Sequence, residues 1–332
     1  MVTGMQTPVF IDDLPDSSAV GSRKSERYRQ VRNRALAEML LDEAVTWHER
    51  PCPACGQDRA SSRNFSQALM PFQRCSACNT IYAARVPDQR HLDQERLQML
   101  SDLPPEPADS AKSTREFEFV SILNWLRLTE ARHGKPLNTV AEYRFSSQAP
   151  SLPQTVERIG STRDWTFLPL SDSGSANFGD LRDHLQASSP DAVLLYGEMD
   201  RIAEPAQLLR VVRANLPRGS LVFIATSCAD GLEYEILGAD SPSFVPLDRL
   251  NIFSVGGFSA LVEELGYKAI EISTPGRLDA VILQKYFTEI EGSDVPFWSG
   301  FFRSANKDRL HDLQILLQRS LRSGVMRFVL ET

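Results

Sequence analysis

Apolar positions along this chain fall into two recognisable patterns. Ala192 to Tyr196 and Leu221 to Ala225 are continuous apolar runs, as in strands buried on both faces of a sheet. Between them, Leu208, Leu209, Val211, Val212 and Leu216 recur at helical spacing, and Pro217, Arg218 and Gly219 break the helix. Strand, helix and strand within residues 191–226 make a βαβ unit, which suits a parallel sheet covered by helices.

Other stretches extend the pattern. Arg23 to Trp47 carries Tyr28, Val31, Ala35, Met39, Leu40 and Ala44 at helical spacing, for packing or for a partner. Glu116 to Arg132 repeats the spacing through Phe119, Val120, Leu123, Leu126 and Leu128, and Gly134, Lys135 and Pro136 end it. Thr139 to Phe145 reads as a strand, Leu152 to Ile159 as a short helix, Trp165 to Leu170 as a strand and Phe178 to Gln186 as a helix. Phe258 to Leu265 is helical up to Gly266. Lys268 to Ser273 and Ala280 to Gln284 read as an antiparallel strand pair across a turn at Thr274 to Arg277. Asp308 to Leu321 is a strong helix, and Val325 to Leu330 a last apolar run.

At 332 residues there is room for one large domain and a smaller one. The expected division is a flexible N-terminus over 1–22, a helix over 23–48, a cysteine-rich domain over 49–100 and a Pro-, Ser- and acid-rich linker over 101–115. A main α/β domain over 116–290 and a helix-and-strand extension over 291–332 follow. Apolar content of 42% and charged content of 24% are ordinary for a globular chain. The net charge of -7 argues against nucleic acid or an anionic membrane as partner. No apolar run reaches the ~18 residues of a membrane span. The N-terminus lacks the charged-then-apolar pattern of a secretory signal, so the expected compartment is the cytoplasm.

Four of the five cysteines sit in two C-x-x-C pairs, Cys52 with Cys55 and Cys75 with Cys78, and nineteen residues separate the pairs. In a reducing compartment that spacing favours metal over disulfides. Each knuckle turns two thiolates toward one point, and two knuckles close a tetrahedron around Zn2+. Four sulfurs leave no open position for water, so the site is expected to be structural. Gly56 suits the tight turn after the first pair. Phe65, Phe72, Ile81 and Tyr82 are expected to pack around this ribbon, and Cys228 to be a small core residue.

In this order the pieces resemble a class I S-adenosylmethionine-dependent methyltransferase with an N-terminal zinc ribbon, similar to bacterial proteins that modify sugars or other small metabolites. The resemblance runs from about Pro51 to Gln284. It rests on the ribbon, the helix leading into a first strand, Asp191 to Leu195, Met199 to Pro205, Leu216 to Ile224, Leu250 to Ser254, Gly266 with Tyr267, and Thr274 to Asp279. It implies a Rossmann-like, mostly parallel sheet with helices on both faces beside a small N-terminal zinc-ribbon domain.

The family binds S-adenosylmethionine at a glycine-rich turn after the first strand. Here the equivalent run is Val140 to Gln148. Glu142 matches the acidic position, and Arg144, Ser146 and Gln148 stand at the glycine positions. No glycine occurs between Gly134 and Gly160. Side chains there narrow the space for the methionine moiety and resist the turn. Relatives carry Leu-Glu-His where this chain has Met199-Asp200-Arg201, and a histidine where it has Arg249, which cannot serve as a general base.

On the resemblance, Glu142, Tyr143, Asp172, Glu198 and Asp200 are the candidate cofactor-binding residues, and Tyr196 is a further candidate to flank the adenine. The strand that carries Leu168 to Leu170 is either the second or the third of the sheet. One functional expectation is a pseudoenzyme that keeps the scaffold and works as a binding or assembly subunit. The alternative is an active methyltransferase on a small molecule such as a nucleotide-linked sugar. In a third reading, Arg144, Arg201 and Arg249 bind an anionic ligand. Catalytic residues and oligomeric state are left open.

Overall fold

The computed structural model of the protein describes residues 5–10, 22–66, 69–88, 90–95, 108–144, 166–171, 178–289 and 295–332. The cysteine-rich half comprises α1 (Ser22–Leu41), β1 (Trp47–Glu49), β2 (Arg63–Ser66), β3 (Phe72–Arg74), β4 (Ile81–Ala83) and β5 (Arg85–Pro87). The larger half continues with α2 (Ala108–His133), β6 (Thr139–Arg144), β7 (Thr166–Ser171), α3 (Gly179–Ser188), β8 (Ala192–Tyr196), α4 (Pro205–Asn215), β9 (Leu221–Ser227) and α5 (Leu232–Leu237). Then come β10 (Asn251–Ile252), α6 (Val255–Glu264), β11 (Lys268–Ser273), α7 (Asp279–Glu289), α8 (Pro296–Ser304), α9 (Lys307–Arg319) and β12 (Val325–Glu331).

The main sheet has the order β11-β12-β9-β8-β6-β7. Strands β7, β6, β8 and β9 are parallel, and β12 runs antiparallel between β9 and β11. The chain moves outward from β6 to β7, then returns past β6 to β8. The reversal point lies between β6 and β8, where open α/β sheets bind ligands at their carboxyl ends. Residues 166–171 pair directly with β6, so they form the second strand of the sheet and not the third. Pro169 suits that place, because a proline has no amide to offer a further neighbour.

Alternation along the strands divides the core in two. Val193, Leu195, Val222, Ile224 and Phe328 pack under α3, α4 and α6 through Leu185, Leu208, Val212 and Phe258. Val140, Leu194, Phe223 and Val329 face α2 through Ile122, Leu123, Trp125 and Leu126. Trp125 meets Phe223 edge-to-face at 5.0 Å. Burial on both faces explains why the strands read as unbroken apolar runs.

One sequence expectation is corrected. Ala280 to Gln284 is not a strand but the start of α7, and the antiparallel partner of β11 is β12. Ala280, Leu283 and Phe287 share a buried helical face against α8 and α9, a period that the five-residue reading cut short. The backbone amide of Ala280 is capped by Oε1 of Gln314, 3.0 Å away on α9. Helix α2 begins at Ala108, inside the stretch expected as a linker, and residues 101–107 lie outside the described ones. In the N-terminal stretch, Gln6 bridges to β11: its amide donates to the Ile270 carbonyl (3.0 Å), and its carbonyl accepts from the Ile272 amide (2.9 Å). The short helix expected over Leu152 to Ile159 lies outside the described residues.

The smaller half is joined to the larger by a sheet. Strands β2, β3 and β4 form an antiparallel ribbon, and β10 adds to its edge, with Asn251 opposite Tyr82 and Ile252 opposite Ile81. Ala35, Leu36 and Met39 of α1 are buried with Phe72, Ile81 and Leu250, so this helix packs.

Candidate metal centre and the ligand edge of the sheet

The two knuckles have one geometry. The amides of Gly56 and Asn79 donate to the carbonyls of Cys52 and Cys75, each at 2.9 Å. The amides of Cys52 and Cys75 donate to the carbonyls of Gln57 and Thr80, at 3.0 and 2.9 Å. Gly56 and Asn79 both have positive φ, 68° and 64°. Glycine adopts this region freely, and asparagine more readily than most residues.

The four Sγ atoms lie within 4.8 Å of one another. Cys52 and Cys78 are 3.6 Å apart, as are Cys55 and Cys75. Sulfurs in a zinc tetrathiolate are separated by about 3.8 Å, given Zn–S bonds of about 2.3 Å. The donor set therefore fits zinc, with all four positions filled by protein. The Cys52 thiol is pushed far up by its bond to Cys78 and by burial, while the same bond draws Cys78 down to about 5. Burial pushes Cys55 up to about 11. A dication removes the cost of gathering these sulfurs. Cys228 is buried in the main core, and burial raises its thiol.

The centre is held against the sheet by residues that the sequence did not single out. Ser254 caps α6 by accepting from the amide of Gly257 at 2.9 Å, and its hydroxyl donates to the carbonyl of Cys78. The Ser254 amide donates to Thr80 Oγ1 at 3.3 Å, and that oxygen lies 3.3 Å from Cys78 Sγ. Buried Arg50 donates to the carbonyls of Ala83 (2.9 Å), Ala203 (2.7 Å) and Leu250 (2.9 Å) and to Asn251 Oδ1 (2.8 Å). Burial lowers its pKa to about 10. Asn251 donates to the carbonyls of Met199 and Ile202, both at 2.8 Å. Only Asn79 had a legible signal: it follows Cys78 as Gly56 follows Cys55.

At the carboxyl ends of β6 and β8 the candidate residues stand as follows. Glu142 is buried within β6, level with Leu194 and Pro169, and Tyr143 follows it on the opposite face, beneath α3 and α4. Tyr196 is half-buried against the core under α2. Glu198 is buried just past β8, 4.0 Å from Arg201. Asp172, Ser146 and Gln148 lie outside the described residues.

Asp200 is buried and saturated. It accepts from the Ser227 amide (3.0 Å), the Ser227 hydroxyl (2.9 Å), the Thr226 hydroxyl and Arg249. Asp248 takes Arg32 of α1 at 2.8 Å and Arg201 at 3.1 Å. Of the three arginines expected to cluster, Arg249 and Arg201 are paired with neighbouring carboxylates, and the side chain of Arg144 lies outside the described ones.

No family model matches the chain, and no curated protein does. Solved structures do. The chain is similar to the plantazolicin methyltransferase BamL in complex with a triazolic desmethylPZN analog and SAH, at 13% identity over 74% of this chain and 97% of that one, TM-score 0.38. It is also similar to a putative sarcosine dimethylglycine methyltransferase from Galdieria sulphuraria, at 13% identity over 73% and 97%, TM-score 0.36. A third is the complex of the Haloferax volcanii Trm112 methyltransferase activator with a putative methyltransferase, at 14% identity over 69% and 99%, TM-score 0.39. These overlaps are loose, and the Rossmann-like architecture stands on strand order and register alone.

Proposed function

We propose that the protein is a methyltransferase-like scaffold with a degenerate S-adenosylmethionine site, working as a binding or assembly subunit in the cytoplasm. The observation that carries this reading is the run after β6. Strand β6 ends at the reversal point of the sheet, and the sequence from 135 to 159 has no glycine to give a cofactor's methionine end close backbone approach. The closure of Asp200 on Thr226, Ser227 and Arg249 agrees with it, since those donors hold the acid for structure. In this reading the partner is a protein or a small molecule, since the acidic net charge does not fit nucleic acid.

One observation favours an active transferase on a small molecule such as a nucleotide-linked sugar. Tyr143 and Glu198 still collect at the carboxyl ends of β6 and β8, with Glu142 one residue further in. Titration calorimetry of the zinc-loaded chain with S-adenosylmethionine and with its demethylated product separates the readings. The scaffold reading expects no heat of binding at millimolar ligand while circular dichroism shows folded protein. Saturable micromolar binding would overturn it in favour of the transferase.

A further inference from the structure

We propose that the metal centre is completed by the large sheet domain, with Ser254 and Gly257 as positioning residues, so that zinc binding and the order of the sheet's ligand edge are one equilibrium. A self-contained ribbon would show its knuckles bonded only to itself. Here the carbonyl of Cys78 accepts from Ser254, and Thr80, beside Cys78 Sγ, accepts from the Ser254 amide. Those contacts span 176 and 174 residues of sequence and join the second knuckle to the cap of α6.

Gly257 shows how close the approach is. A Cβ there would lie 3.0 Å from Cys78 Sγ, 2.7 Å from Thr80 Oγ1 and 2.8 Å from Ser254 Oγ. Only a residue without a side chain lets the first turn of α6 rest on the cluster. A zinc tetrathiolate is doubly negative, and α6 directs the positive end of its dipole at it. The Val255 amide is turned to Asp230 at 2.7 Å, which fixes the helix start.

From the cluster the contacts run on to the ligand edge. Strand β4, which follows the second knuckle, pairs with β10. Asn251 of β10 holds the carbonyls of Met199 and Ile202, in the loop that leaves β8. Arg50, two residues before Cys52, holds Ala203 and Leu250. Thus each half of the tetrahedron has its own tie to the loop at the reversal point. The inference does not depend on whether S-adenosylmethionine binds there.

Coupling of this kind is reciprocal: what zinc gives to the loop, the loop-side residues give to zinc. The test uses the full chain in its zinc-loaded form. Ser254→Ala and Gly257→Ala are compared with wild type by competition against a chromophoric chelator, and by hydrogen exchange of peptides covering 199–205 and 250–257. Lys268→Ala, on the far end of β11, is the control. Both variants are expected to hold zinc at least tenfold more weakly and to exchange faster over 199–205, with the control unchanged in both measurements. Wild-type zinc affinity in both variants would overturn the proposal. So would weakened zinc with unchanged exchange over 199–205, because the effect would then stop at the ribbon. A variant that fails to fold with zinc is replaced by Ser254→Thr, which keeps the hydroxyl and is expected to retain wild-type zinc affinity; a loss there also counts against the proposal.

Discussion

Arg50 donates to the side-chain oxygen of Asn251 at 2.8 Å, across 201 positions of sequence. All these hydrogen-bond acceptors are neutral, and the nearby charge of Glu204 offsets only part of the cost of burying the cation. Replacing it removes the donor for three backbone carbonyls at the joint between ribbon and sheet. Arg50→Met is expected to cost about 3 kcal/mol or more in urea unfolding. Arg50→Lys should recover only part of the loss, because an ammonium cannot span the same acceptors.

Asp200→Asn tests whether that acid belongs to structure or to a ligand. As a structural acceptor it serves Arg249, Thr226 and Ser227. Its loss should destabilise the protein by roughly 3 kcal/mol, and combining it with Arg249→Gln should cost less than the sum of the two. A substitution that leaves the denaturation midpoint unchanged would contradict the structural role.

Glu233 gives a pH dependence. It is buried on α5 and accepts from Ser241 and Ser243. Burial first, and the charge of Asp279 second, raise its pKa from 4.5 to about 7, against the pull of those hydrogen bonds. The folded protein therefore keeps a proton that the unfolded chain has released. Below about pH 4.5 both states are protonated and there is no penalty. Between 4.5 and 7 stability falls as pH rises, by at most about 3 kcal/mol. Glu233→Gln keeps one acceptor and removes the charge. It is expected to raise the melting temperature at pH 8 and to lose most of that advantage at pH 4.5. An equal effect at both pH values would refute the assignment.

Metal analysis of purified protein should give about one zinc per chain. Cys75→Ser should lower both zinc content and thermal stability, because metal binding to such a site is folding free energy. Full stability without zinc would count against a structural centre.

The sequence showed the parts of this protein that obey local rules. The C-x-x-C pairs are short-range features, and the structure brings all four sulfurs together. Ala192 to Tyr196 was readable because it is apolar on both faces, and the helix from Pro205 because its apolar residues keep helical period. The same rule failed at Ala280 to Gln284, where five apolar-rich residues fit a strand or a buried helix equally well. Length settled that case: α7 continues to Glu289.

At the ligand edge, Glu198 and Asp200 were identifiable by their place after an apolar strand. Their partners were not. Whether Asp200 is open or saturated depends on Thr226, Ser227 and Arg249, which reach it from other elements.

By itself, then, the sequence determined the four cysteines that cluster, the buried parallel strands and the lack of glycine after β6, because each follows from residue type and spacing along one stretch. Only the tertiary structure decided that β12 lies between β9 and β11, that α6 rests on the cysteine cluster, and that Arg50, Asn251 and Ser254 tie the ribbon to the sheet. Those are pairings between residues far apart in the chain, and a hydrogen-bond donor carries no mark in its own neighbourhood of the distant acceptor that it will meet.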